Sequence, residues 1–139
     1  AVECIFHFPD RAVFFREANR VLKPGGRLAL SDFLVDRYLA YFLPRKLNTG
    51  FFGTCDAQFS HAKYRELAKR TGFVVTLESN ITKQTLPTYR TLNSTIFRGK
   101  VTSFMRFYGW LTTSILGVAA RLDLLRYSVF TFTKQAVVD

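Results

Sequence analysis

Hydrophobic and polar positions along this chain follow two periods, and these divide it into a series of strands and helices. Ala1 to Phe6 is a short apolar run that reads as the exit of a buried parallel strand. Pro9-Asp10 opens a helix capped by Asp10, on which Phe14, Ala18, Val21 and Leu22 fall on one apolar stripe. Pro24-Gly25-Gly26 stops it, because proline cannot continue a helix and glycine accepts the left-handed backbone that follows one. Arg27 to Ser31 reads as the next strand. Strand, helix and strand with short connections predict a parallel βαβ crossover.

Asp32 to Phe59 has no clean period, and suggests only a short helix at Tyr38 to Leu43 and a loop at Asn48 to Gly53. Ser60 caps a helix on which Tyr64, Leu67, Ala68 and Thr71 share a face, and Gly72 ends it. Phe73 to Glu78 reads as a further strand. Pro87 is expected to start a helix carrying Tyr89, Leu92 and Ile96. Val101, Phe104, Met105, Tyr108, Leu111, Thr112, Ile115, Leu116 and Ala119 then keep a helical period, predicting a second helix that buries this stripe. Residues 80–125 thus form a helical insertion. Tyr127 to Lys134 alternates apolar and small polar residues, as a half-buried strand does. The order predicts an α/β domain over residues 1–139, a parallel sheet with helices on its faces and an antiparallel last strand.

Composition agrees with a folded chain. Apolar residues make up 48 % and aromatics 16 %, with 15 Phe, too many for a disordered segment of 139 residues. A net charge of +10 raises the possibility of nucleic acid or an anionic membrane, but the basic residues are spread from Arg11 to Lys134 without a run or a zinc-finger spacing. A solvated basic surface is the simpler reading, and no nucleic-acid partner is expected. Cys4 and Cys55 fit no metal or redox pattern and read as reduced, buried thiols, so the chain is expected to be soluble and cytoplasmic. The most membrane-like stretch, Phe104 to Ala120, is interrupted by Arg106 and short for a span.

The segment "FHFPDRAVFFREANRVLKPGGRLALSDF" resembles the fourth-to-fifth-strand region of class I S-adenosylmethionine-dependent methyltransferases, in the subgroup that acts on small molecules. "SHAKYRELAKRTGFVV", "SNITKQTLPTYRTL" and "YSVFTFTK" are similar to the later segments of the same fold. The resemblance implies the C-terminal half of a Rossmann-like methyltransferase sheet, strands 4–7, with the helical insertion before the last strand. It implies S-adenosylmethionine as cofactor and a small methyl acceptor, and the aromatic lining of the insertion would suit a lipophilic one. The family grips its cofactor with a glycine-rich turn after the first strand; here the one adjacent glycine pair, Gly25-Gly26, follows a helix. The expectation is a fragment that is inactive alone and self-associates through a cut sheet edge.

The resemblance also implies site residues. His7, at the exit of the fourth strand, corresponds to a position that faces the cofactor and in some relatives serves as base; Phe6 stands where many relatives carry another His. Phe6 and Phe8 are expected to flank the methyl donor. Asp32, at the end of the next strand, is expected to orient His7 or meet the acceptor. Tyr89, Phe104 and Tyr108 in the insertion are expected to line the acceptor pocket. Plainer readings stand beside these: a locally bonded His7, Asp32 as a turn or cap, aromatics as core. Asp10 reads as a cap and His61, beside a helix N-cap, as surface. Two other classes remain open, a non-catalytic module for a hydrophobic ligand and one for an anionic membrane surface, the latter through an amphipathic insertion near peripheral lipid.

Overall fold

A computed structural model describes residues 1–44, 46–48, 54–56, 59–96 and 102–136. The Asp10 carboxylate accepts the amides of Ala12 and Val13, so helix α1 (Arg11–Val21) starts where the sequence places it. Gly25 ends the following turn at φ +74°, a conformation that a side chain disfavours. Strand β1 (Arg27–Val35) then runs four residues beyond the expected end. A short helix α2 (Arg37–Phe42) and two three-residue strands, β2 (Lys46–Asn48) and β3 (Thr54–Asp56), follow; β2 and β3 pair antiparallel. The loop expected at Asn48 to Gly53 lies, past Asn48, outside the described residues, as does the Cys55 side chain; Cys4 carries a free, half-buried thiol.

Ser60 accepts the amide of Lys63 and starts α3 (His61–Arg70), which Gly72 leaves at φ +78°. Strand β4 (Phe73–Asn80) leads to α4 (Thr82–Ile96), α5 (Ser103–Arg121) and β5 (Leu125–Lys134). Pro87 sits inside α4 and does not start it. The start is Thr82, whose amide donates to the Asn80 side chain at 2.9 Å.

The main sheet has the order β1-β5-β4, with β5 antiparallel to both neighbours. The antiparallel last strand agrees with expectation. The parallel crossover from Ala1–Phe6 does not appear: Ile5–His7 is one turn of 3-10 helix. Backbone-to-backbone bonds to β1 come from Ala1, its N-terminal amine donating to the Ala29 carbonyl and its carbonyl accepting from the Ser31 amide.

Strand parity decides which side chains meet. Leu28, Leu30, Asp32 and Leu34 pair with Phe132, Phe130, Ser128 and Arg126 and share one face; Ser31 and Phe33 pair with Val129 and Tyr127 on the other. On the first face α1 and α3 close a core of Ile5, Phe15, Leu30, Leu34, Tyr64, Leu67, Ala68, Phe73, Phe130 and Phe132. The high phenylalanine content resides here: Phe15 meets Phe132 and Phe73 edge-on at 5.0 and 5.9 Å. On α1 Phe15 is the fully buried residue; of the expected stripe Phe14, Ala18 and Leu22 pack against this core, while Val21 is 65 % exposed.

The two helices of the insertion correct the sequence reading most sharply. Helix α5 packs on α4 through Gly109, Thr113, Gly117 and Ala120, all buried. At Gly117 an added Cβ would lie 3.3 Å from the Cβ of Tyr89, so small residues set the helix separation. The apolar stripe of Phe104, Met105, Tyr108, Leu111 and Ile115 faces solvent instead. No helix among the described residues is long and apolar enough to cross a membrane.

Candidate functional site

The strongest cluster of functional groups lies on the second face of the sheet, at the 3-10 turn. Tyr127, buried on β5, donates its hydroxyl to Glu3 Oε1 at 3.0 Å and sits 2.8 Å from Ser31 Oγ. Ser31 Oγ in turn accepts the Glu3 amide at 3.2 Å, and Glu3 holds φ +51°, unusual for a residue with a side chain. The Phe33 ring lies 4.7 Å from that of Tyr127, and Phe6 packs edge-on against Phe33 at 5.6 Å. From α4, Tyr89 approaches the same group: burial raises its pKa, and Glu3 and Tyr127 add to the shift. Burial likewise raises that of Tyr127. The result is a carboxylate, three hydroxyls and two aromatic rings around one corner of the sheet, where α4 leaves it.

His7 stands at the edge of this corner, exposed, its ring 4.2 Å from that of Phe6. Phe6 and His7 are therefore neighbours of the cluster. Phe8 is not: its ring meets Phe14 at 4.9 Å and packs against the core on the other side. Tyr89 is part of the corner, whereas Phe104 and Tyr108 stack on each other along the outer face of α5, turned away from Tyr89.

Asp32 departs from its expected role for a geometric reason. It is in mid-strand, and parity turns it toward α1 and α3, away from the face of Phe6 and Phe33. Fully buried, its carboxylate accepts from Arg11 at 2.9 Å, from the Tyr64 hydroxyl at 2.6 Å and from the Phe33 amide at 2.9 Å. Burial raises its pKa, while Arg11, Tyr64 and the Phe33 amide oppose the rise. Arg11 also lies 3.6 Å from Asp56 and over the Phe59 ring. Asp32 thus fastens two helices to the sheet and does not orient His7. The pair was hard to see in the sequence because an Arg one position inside a helix ordinarily marks solvent. A cavity of about 420 Å³ opens beside Arg11, between α1 and α3, and Phe8 and Phe59 are among the residues that line it.

His61 is half-buried and not a surface residue. Its Nε2 lies 3.1 Å from Ser128 Oγ and 3.9 Å from Glu78 Oε1. Serine and carboxylate approach the same nitrogen, so the three do not form a nucleophile–base–acid relay. Burial lowers the His61 pKa below the usual histidine value of 6.5, with Glu78 opposing. The native state therefore binds fewer protons at His61 than the unfolded chain, and stability falls as pH drops below about 6.5. We expect the thermal midpoint to decline between pH 7.5 and 5.5, and His61→Gln to flatten that slope in differential scanning calorimetry at a series of pH values; an unchanged slope would reject the linkage.

Whether these residues fit a nucleotide cofactor can be read from the glycine pair. Gly25 donates its amide to the Lys134 carbonyl, and the Gly26 carbonyl accepts from the Lys134 amide. A Cβ at Gly26 would fall 2.7 Å from the Lys23 carbonyl oxygen. The turn is filled by its own chain, so it does not fit the phosphate- or methionine-cradling turn of a cofactor site. Among the described residues, no group of three His, Cys, Asp or Glu is placed to hold a metal ion.

Comparison with known proteins bears on this geometry. Residues 1–30 match the family model of a methyltransferase domain. Over 35 residues, 25 % of this chain and 13 % of the relative, the chain is 60 % identical to 27-O-demethylrifamycin SV methyltransferase of Amycolatopsis mediterranei (strain S699). A protein described as a sarcosine dimethylglycine methyltransferase of Galdieria sulphuraria superposes with TM-score 0.75 at 19 % identity, over 96 % of this chain and 51 % of its own. Mycolic acid cyclopropane synthase CmaA1, solved with S-adenosylhomocysteine and CTAB, gives TM-score 0.75 at 17 % identity, over 94 % of this chain and 53 % of its own. The chain spans about half the length of these solved proteins. Resemblance in sequence and likeness in fold agree: residues 1–30 match the methyltransferase domain, and the described residues share the α/β fold of these solved proteins.

Proposed function

We propose that this chain supplies the acceptor side of an S-adenosylmethionine-dependent methyltransferase for a small, lipophilic molecule. The observation that carries the reading is the corner of Glu3, Ser31, Tyr89 and Tyr127 beneath the helical insertion, bounded by Phe6 and Phe33. Such a set suits an acceptor with an apolar body and a hydroxyl to position: rings bury the body, and the tyrosine hydroxyls and Glu3 fix the polar end. S-Adenosylmethionine, when bound to a whole enzyme of this kind, supplies the methyl group. The filled Gly25-Gly26 turn gives it no cradle in these residues. His7, open to solvent beside Phe6, is the residue we assign to take a proton from an approaching acceptor. A placement of acceptor and base in contact contributes through proximity, which needs a rigid corner more than a strong base.

Two calorimetric titrations on the 139-residue chain test the reading, with the substrate of the rifamycin relative as acceptor probe. We expect 27-O-demethylrifamycin SV to bind and Tyr89→Ala to weaken it by about tenfold or more, the loss of one ring contact and one hydrogen bond. S-Adenosylhomocysteine is expected to give no saturable heat. Saturable binding of S-adenosylhomocysteine with none of the acceptor would overturn the acceptor-side assignment.

A further inference from the structure

We infer that the outer face of α5 is a docking surface for an anionic phospholipid bilayer. Helix α5 is apolar on both sides. Its inner stripe is small and fills the contact with α4; its outer stripe, Phe104, Phe107, Leu111, Ile115, Val118 and Leu122, is large and between 39 and 77 % exposed. A helix that is hydrophobic all round is ordinarily covered on all sides. A contiguous apolar face along 19 residues, about 28 Å of helix, is larger than soluble monomers commonly leave to water.

Charge selects the cover. Between Ser79 and Leu122 the sequence has six Lys or Arg residues and no Asp or Glu. Of these, Lys83 and Arg90 on α4 and Arg121 at the end of α5 are exposed. A second copy of the chain would set this positive region against itself. An anionic bilayer supplies the opposite sign at its headgroups and an apolar layer just beneath. The outer residues suit that boundary, since helices that lie in it bury Trp, Phe and Leu on their apolar face. The helix is not apolar enough to span, so it lies in the plane of the surface.

The surface is continuous with α2. The Asp36 amide donates to the Leu124 carbonyl at 2.9 Å, which sets the start of α2 beside the end of α5. Helix α2 turns Tyr38, Tyr41 and Phe42 to solvent, 67, 84 and 80 % exposed. A second aromatic group therefore stands next to the first.

Trp110 is the single tryptophan of the chain and sits on α5, 42 % exposed, so its fluorescence reports on this helix alone. The experiment is flotation of the 139-residue chain with vesicles of phosphatidylcholine, or of phosphatidylcholine with about one-third phosphatidylglycerol, together with Trp110 emission. We expect flotation and a blue shift with the anionic vesicles only, and release as salt is raised toward about 0.5 M. Phe104→Asp with Ile115→Asp should abolish both. Lys83→Glu with Arg90→Glu, which changes exposed side chains and spares the packed stripe, should weaken partition by about thirtyfold or more; circular dichroism monitors folding of each variant. Three results would overturn the inference: no flotation with anionic vesicles, equal flotation with neutral ones, or flotation that leaves Trp110 emission unmoved. Concentration-dependent dimerisation without vesicle binding would assign the face to a second copy instead.

Discussion

Asp32→Ala is expected to lower the unfolding free energy by about 3–5 kcal/mol, read as a drop in the urea midpoint at unchanged slope. Three donors converge on this carboxylate: the Arg11 guanidinium, the Tyr64 hydroxyl and the Phe33 amide. Removing it leaves Arg11, 4 % exposed, with Asp56 at 3.6 Å and the Phe59 ring as neighbours, and takes the hydroxyl acceptor from Tyr64. The large effect comes from a buried charge left with only the longer Asp56 contact, and not from the net strength of the pair. The double variant Arg11→Met with Asp32→Leu should accordingly recover most of the loss. A single-variant effect below about 1 kcal/mol would mean that the buried ion pair does not hold α1 and α3 to the sheet.

Phe15→Ala is the second large effect, about 3–5 kcal/mol. Phe15 is fully buried, and its ring touches Tyr64, Phe73 and Phe132, from α3, β4 and β5 respectively. Deleting it opens a cavity at the point where all these elements meet, and surrounding aromatic rings relax poorly into such a space. Val21→Ala, on the same helix but 65 % exposed, should change stability by no more than about 0.5 kcal/mol. Chemical denaturation of both variants checks the pair of values. Equal effects at the two positions would show that α1 docks with a different face.

The two positions also show where the sequence was legible. Caps and stops declare themselves locally, so Asp10, Ser60, Gly25 and Gly72 could be read without knowledge of the rest of the chain. The alternation of β5 was equally plain because one of its faces is core. The stripe on α1 held at Phe14, Ala18 and Leu22 but left out Phe15 and took in Val21, since Phe14 and Phe15 are adjacent and either can lead.

Larger departures came from features that depend on partners. A short apolar run such as Ala1–Phe6 becomes a strand only if something pairs along it, and here the backbone-to-backbone bonds to β1 stop at Ala1. Period identified α5 as a helix but could not say which stripe was buried. The small residues Gly109, Thr113, Gly117 and Ala120 carry the contact, and a hydrophobicity pattern undercounts them. At the candidate site, His7, Phe6 and Tyr89 fall at one corner, while Glu3, Ser31 and Tyr127 were missed. Their grouping depends on the register of β1 against β5, which no local pattern reveals. Asp32 was recognised as a special residue and given the wrong partner. Its strand continues past it, so parity sends it to the opposite face from His7.

The placement of β5 has a consequence for how the molecule is made. It is the centre of the main sheet, with β1 and β4 on its flanks, yet its residues are the last of the three strands to leave a ribosome. Until Leu125–Lys134 emerges, β1 and β4 have no common partner, and their backbone donors and acceptors stay available to other chains. Assembly of the sheet therefore waits on the emergence of β5 and joins residues far apart in sequence, the slow end of the folding range. Slower translation of the preceding helices would lengthen that wait, and a chaperone bound to the nascent strands would shield it.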